Sequence, residues 1–78
     1  MEILGLENGR VMLVGEAKWT NEPVGLDVLQ TLERRVALLP HVAPDRQLVL
    51  FAKDAFTEPL RALRSPQLAL FTAHDLLT

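Results

Sequence analysis

The sequence predicts an α/β fold on a mixed sheet: an opening hairpin, then helices alternating with strands. Three observations predict it. Asn8-Gly9 stands between two apolar runs, a strong short-range hairpin signal. Leu26, Leu29, Leu32, Val36 and Leu39 recur at helical spacing. Residues 47–52 form the near-continuous apolar run of a buried parallel strand. Strands that alternate with helices after a hairpin call for later strands joined by right-handed crossovers.

Each element has its own signal. Residues 1–6 and 10–19 read as the hairpin strands around Glu7-Asn8-Gly9. Residues 20–23 are a break; Pro23 suits a helix's first turn, and Asn21 or Glu22 flanks its start. The helix keeps Asp27, Gln30, Glu33 and Arg34 off its apolar stripe and stops at Pro40. Residues 41–46, with Pro44 among them, read as a loop. Thr57 caps a short helix that tolerates Pro59 in its first turn. That helix turns Leu60 and Leu63 inward and Arg61 and Arg64 outward. Ser65-Pro66 breaks it, and residues 67–71 are the last strand. Thr72-Ala73-His74-Asp75 has the form of a capping box for a final helical turn.

Seventy-eight residues make one domain. A chain this short buries only ~60% of the surface its unfolded form exposes. Its apolar share of 49%, with no cysteine to form a disulfide, implies that something else covers part of that surface. A second copy, giving a homo-oligomer, or a neighbouring domain would serve. Absence of cysteine fits an intracellular, cytoplasmic protein. No apolar stretch approaches the ~20 residues of a membrane span, so no membrane partner is expected. Eight basic residues are outnumbered by ten acidic ones, for a net charge of −2. Nucleic-acid contact would therefore use a local patch rather than a basic stripe. His41 and His74 are isolated, without the spacing of a zinc site. No glycine-rich phosphate loop or nucleophile elbow occurs.

The chemistry-bearing feature is Glu16-Ala17-Lys18, at the end of the second hairpin strand. Alternate side chains of a strand share a face, so Glu16 and Lys18 emerge together, a carboxylate beside an ammonium. One reading is a solvated ion pair, worth ~0–1 kcal/mol. The other is a metal-dependent nuclease site, in which an acid holds a divalent cation and a lysine steadies water or phosphate.

The string Val14-Gly15-Glu16-Ala17-Lys18-Trp19, the helix over residues 24–39 and the segment Leu50-Phe51-Ala52-Lys53-Asp54-Ala55-Phe56-Thr57 resemble the small domain that follows the ATPase module in archaeal-type ATPases. That domain is similar to the restriction-endonuclease-like, PD-(D/E)xK nucleases. The resemblance covers nearly the whole chain. It implies a mixed sheet flanked by helices, and Mg²⁺ or Mn²⁺ held by Glu16, the Ala17 carbonyl and an acid on the first strand, with Lys18 near the attacking water. The family's first-strand Asp is replaced: its position falls on Glu2, the only acid on that strand. A helix that normally precedes the hairpin has no counterpart. The chain is thus expected to be part of a larger ATPase-linked protein, with DNA or another nucleic acid as partner, or docking to an ATPase domain.

Hairpin register decides whether Glu2 serves. A two-residue Asn8-Gly9 turn pairs Glu2 with Gly15, away from Glu16. A three-residue Glu7-Asn8-Gly9 loop pairs it with Val14, on Glu16's face, and a bulge makes the same change. The longer loop is the expectation. Gln30 is a solvated helix position that could also face the site. Trp19 reads as hydrophobic cover or an interface residue. Arg34, Arg35, Arg61 and Arg64 are candidate phosphate contacts, or ordinary surface cations. Two functions follow: a metal-dependent endonuclease domain, or a nuclease fold without the chemistry that serves dimerisation or docking.

Overall fold

The computed structural model describes residues 2–77 and shows a small α/β unit with one four-stranded mixed sheet. In chain order the elements are β1 (Glu2–Glu7), β2 (Arg10–Lys18), α1 (Leu26–Ala37), β3 (Val42–Ala52), α2 (Glu58–Arg61), β4 (Leu68–Thr72) and α3 (Ala73–Leu77). The predicted order of elements holds. The strands lie side by side as β1-β2-β3-β4, with β1 antiparallel to β2 and β3 parallel to both β2 and β4. The predicted start of the first strand at Met1 lies outside the described residues.

The hairpin turns on two residues, not three. Asn8 and Gly9 both take positive φ, 53° and 77°, and Glu7 pairs with Arg10. Such a turn matches the right-handed twist of the strands it joins, and Asn and Gly reach that region at least cost. The register then shifts: Leu6 pairs with Val11, whereas Gly5 pairs with Leu13. Met12 is the extra residue, a β-bulge. The bulge, rather than a longer loop, sets Glu2 opposite Glu16. It also returns Val11 to the buried layer that holds Val14.

Three further boundaries differ from the sequence reading. Helix α1 begins after Gly25, not near Asn21 or Glu22. Val24 is held extended instead: its N–H donates to the Ala55 carbonyl at 3.0 Å, and its own carbonyl accepts from the Thr57 N–H at 2.9 Å. Strand β3 begins at Val42, inside the predicted loop. Val42 pairs with Val11 and Gln47 with Leu13, so five steps of β3 pass two of β2. Pro44 lies in that irregular stretch, where a missing N–H costs no regular ladder bond. Leu63 falls beyond α2 and is exposed, while Leu60 is fully buried as expected.

Thr57 stands at the N-cap of α2 in extended conformation, but its side chain makes no capping bond. The capping box of α3 is complete. The Thr72 N–H donates to Asp75 Oδ2 at 2.8 Å, and the Asp75 N–H donates to the Thr72 hydroxyl at 3.4 Å.

The core lies on one side of the sheet. Leu29, Leu32 and Val36 of α1 and Leu60 of α2 pack against Val14, Leu50, Ala52, Leu68 and Leu70. The opposite face presents Ile3, Leu13, Val49, Phe51, Ala69 and Phe71 around a groove of about 280 Å³. Phe51 and Phe71 stack there at 5.7 Å between ring centres. No described helix is long and apolar enough to cross a membrane.

Candidate functional site

The helix-covered face of β2 runs from core to cleft. Val14 is fully buried, Glu16 follows at 5% exposure, and Lys18 is exposed at the strand end. Glu16 is the one charged residue among the buried ones described. Burying a carboxylate is costly unless it is paired. Here a guanidinium meets it. Arg35, in the last turn of α1, places Nη1 3.4 Å from Glu16 Oε2 and 3.3 Å from Glu2 Oε2.

Two acids directly across an antiparallel pair would repel each other. The guanidinium nitrogen between them offsets that repulsion. Both distances exceed the ~2.7–2.9 Å of a tight charge-assisted bond, and one nitrogen serves both oxygens, so the contact is a loose bridge. With Arg35 half exposed and Glu2 37% exposed, water screens it; such a pair contributes ~0–1 kcal/mol.

Around this bridge lies a cleft of about 110 Å³, lined by Glu16, Lys18, Asp27, Thr31 and Arg35 with Val28 and Leu32. Its helical wall follows from spacing. Asp27, Thr31 and Arg35 lie four residues apart, one stripe beside the apolar seam of Leu29, Leu32 and Val36. Thr31 is fixed by donating from Oγ1 to the Asp27 carbonyl at 2.9 Å. Asp27 near the helix start and Arg35 near its end both suit the helix dipole.

The fold therefore brings together Glu2, Glu16 and Lys18 on one face of the hairpin. Ala17 points the other way and stands opposite Phe51 in the β2–β3 ladder. Gln30 is exposed and does not line the cleft. Arg61 pairs with Glu58 at 2.8 Å, and Arg34 donates to the Thr31 hydroxyl at 3.3 Å. Trp19 is exposed beside Lys18.

Asp27 and the bridging role of Arg35 escaped the sequence reading. Their signal was present in the four-residue stripe, which was passed over in favour of the apolar one. Among the described residues, no group of three or more His, Cys, Asp and Glu is placed to hold a metal ion. What the chain offers instead is two carboxylate oxygens converging on one cationic centre. The chain matches no protein-family model, no curated protein and no solved structure, so its function is argued from this site.

Proposed function

We propose that this chain is a restriction-endonuclease-like domain that hydrolyses nucleic-acid phosphodiesters with Mg²⁺ or Mn²⁺. The observation that carries this reading is the register: Glu2 directly opposite Glu16, with Lys18 two residues on along the same face. The donors on offer are two carboxylates, with no third His, Cys, Asp or Glu grouped with them to hold a metal ion among the described residues. Magnesium is commonly held by one or two carboxylates, with water and substrate phosphate completing its shell. Glu2 and Glu16 already converge on one positive charge, the Arg35 nitrogen.

Glu16, Glu2 and the Ala17 carbonyl would hold the ion. When bound, it supplies an acidified water and offsets charge on the scissile phosphate. Glu16, locked beneath α1, fixes the position of the site. Lys18, at the open end of the cleft, orients the water or meets the developing negative charge. Since the net charge is −2, contact with the polyanion is local to this cleft. An ATPase-linked setting is supported only by the resemblance carried by residues 14–19, 24–39 and 50–57.

The test pairs metal binding with cleavage. Trp19 adjoins Lys18, so its emission should respond saturably to Mn²⁺, and Glu16→Gln should abolish the response. Lys18→Ala should keep the response while cleavage of a plasmid or oligonucleotide falls by ~10²-fold. No response at millimolar metal would end this reading.

A second reading is favoured by the open sheet face. Its lining residues carry no charge: Ile3, Leu13, Gly15, Val49, Phe51, Ala69 and Phe71, with Gln47 the sole polar side chain. Such a face is self-complementary, and sheets pack face to face at ~10 Å. In this reading a second copy of the chain covers it, and the nuclease fold serves assembly. A solution mass that stays monomeric at high concentration would exclude it.

A further inference from the structure

We infer that the tip of the hairpin modifies itself: the backbone nitrogen of Gly9 attacks the side-chain carboxamide of Asn8, and the rearranged product loosens the strand that carries Glu2. The inference is independent of any metal at the cleft.

The turn meets the conditions this chemistry sets. The attacking nitrogen must be unhindered, and the space beside the Gly9 α-carbon is open to 4 Å. Its proton must be free to leave and the carboxamide free to rotate. Among the described residues, no hydrogen bond engages the Gly9 N–H or the Asn8 side chain. Water must reach both, and both residues are exposed. Asn8 must also swing the nitrogen towards its own Cγ, and the turn closes only an edge hairpin, which opens readily. Asn21, the other asparagine, lacks these features. Glu22 follows it, and its Oδ1 accepts from Lys53 Nζ at 2.8 Å.

Hydroxide takes the Gly9 amide proton and becomes water. The nitrogen bonds to Asn8 Cγ, the Cγ–Nδ2 bond breaks, and ammonia leaves with a proton from water. The cyclic imide then takes up one water. Opening at Cγ yields aspartate. Opening at the Asn8 backbone carbonyl yields isoaspartate, whose main chain runs through the side chain and is one carbon longer. No redox change occurs.

A two-residue turn with φ of 53° and 77° has no place for an added backbone carbon. The turn fixes Glu7 opposite Arg10, and the pairing runs from there through the bulge to Glu2 opposite Glu16. Isoaspartate at position 8 therefore unseats β1 and takes Glu2 from Arg35. Aspartate keeps the turn, which Asp-Gly also suits.

The experiment incubates the full chain in mildly alkaline buffer and follows both asparagines by peptide-mapping mass spectrometry, with isoaspartate counted by isoaspartyl-methyltransferase labelling. Asn8 should convert roughly tenfold or more faster than Asn21, because only Asn8 has glycine next to it. Conversion no faster than at Asn21 would overturn the inference. So would an intact Asn8 after an incubation that converts a free peptide of residues 6–11.

The isoaspartate fraction is then separated and compared with fresh Asn8→Asp. Amide exchange at Ile3 and Leu4 should be roughly tenfold faster in the isoaspartate fraction, and near wild type in Asn8→Asp. Equal protection in the two would overturn the link between the turn and Glu2.

Discussion

The two faces of the sheet are built from similar residues and end in opposite conditions. On one, Val14, Leu50, Leu68 and Leu70 lie beneath α1 and α2 and are nearly inaccessible. On the other, Leu13, Phe51, Ala69 and Phe71 line a groove that no described helix covers. Apolar content alone therefore does not say which side is core; the second layer does. The difference also bears on chemistry. Only the covered face has a helix to supply a counter-charge, and only there does β2 carry an acid and a lysine, Glu16 and Lys18. The open face shows Gly15 and Ala17 at the intervening positions.

Substitutions should separate the faces sharply. Leu32, 1% exposed at the centre of the covered side, should cost ~2–5 kcal/mol when changed to Ala, a large share of what a domain this small can hold. Denaturant melting would measure it. Phe71→Ser on the open side should cost less, about 1–2 kcal/mol, since Phe71 is 39% exposed. If the faces pair between copies, the same change lowers solution mass measured by light scattering. Equal losses for the two variants would erase the distinction.

A smaller effect probes the hairpin turn that joins β1 to β2. Gly9 holds φ at +77° with open space around it, so Gly9→Ala meets backbone strain without a clash. It should destabilise by about 1 kcal/mol, visible as a shifted melting midpoint.

The smallest effect concerns the end of the sheet. The Thr72 N–H, then its hydroxyl, holds the Asp75 carboxyl below the usual aspartate value. A depressed folded-state pKa adds stability above the unfolded value and loses it as pH falls through the folded one. The α3 cap should therefore persist at neutral pH and loosen only below the ordinary aspartate range. The Thr72 amide resonance would report it, and Asp75→Asn should flatten that dependence.

Much of this layout was legible in the sequence, for local reasons. Asn8-Gly9 specified its turn because few residues reach positive φ, and Thr72 to Asp75 specified a cap through side chains three residues apart. Helix α1 was legible from its leucine spacing. What escaped depends on distant partners. Residues 42–46 look like a loop, yet the edge of β2 at Val11 draws them into the sheet. Val24 looks like helix, but its backbone bonds lie with Ala55 and Thr57. At the site, Glu16 and Lys18 share a face by strand periodicity alone. The place of Glu2 depends on one bulged residue, Met12, which apolar alternation did not reveal. Arg35 reads as any surface cation until α1 is laid across the hairpin.

Strand β1 has a hydrogen-bonded neighbour on one side only, and it contributes one of the two acids that meet Arg35. The other acid belongs to an interior strand paired on both flanks. Fraying at the outermost described rung would carry Glu2 away while Glu16 stayed in place. Occupancy of the cleft by any positive ion thus becomes coupled to the opening of a single border rung, and amide exchange at the Ile3 and Leu4 positions should slow as such an ion binds.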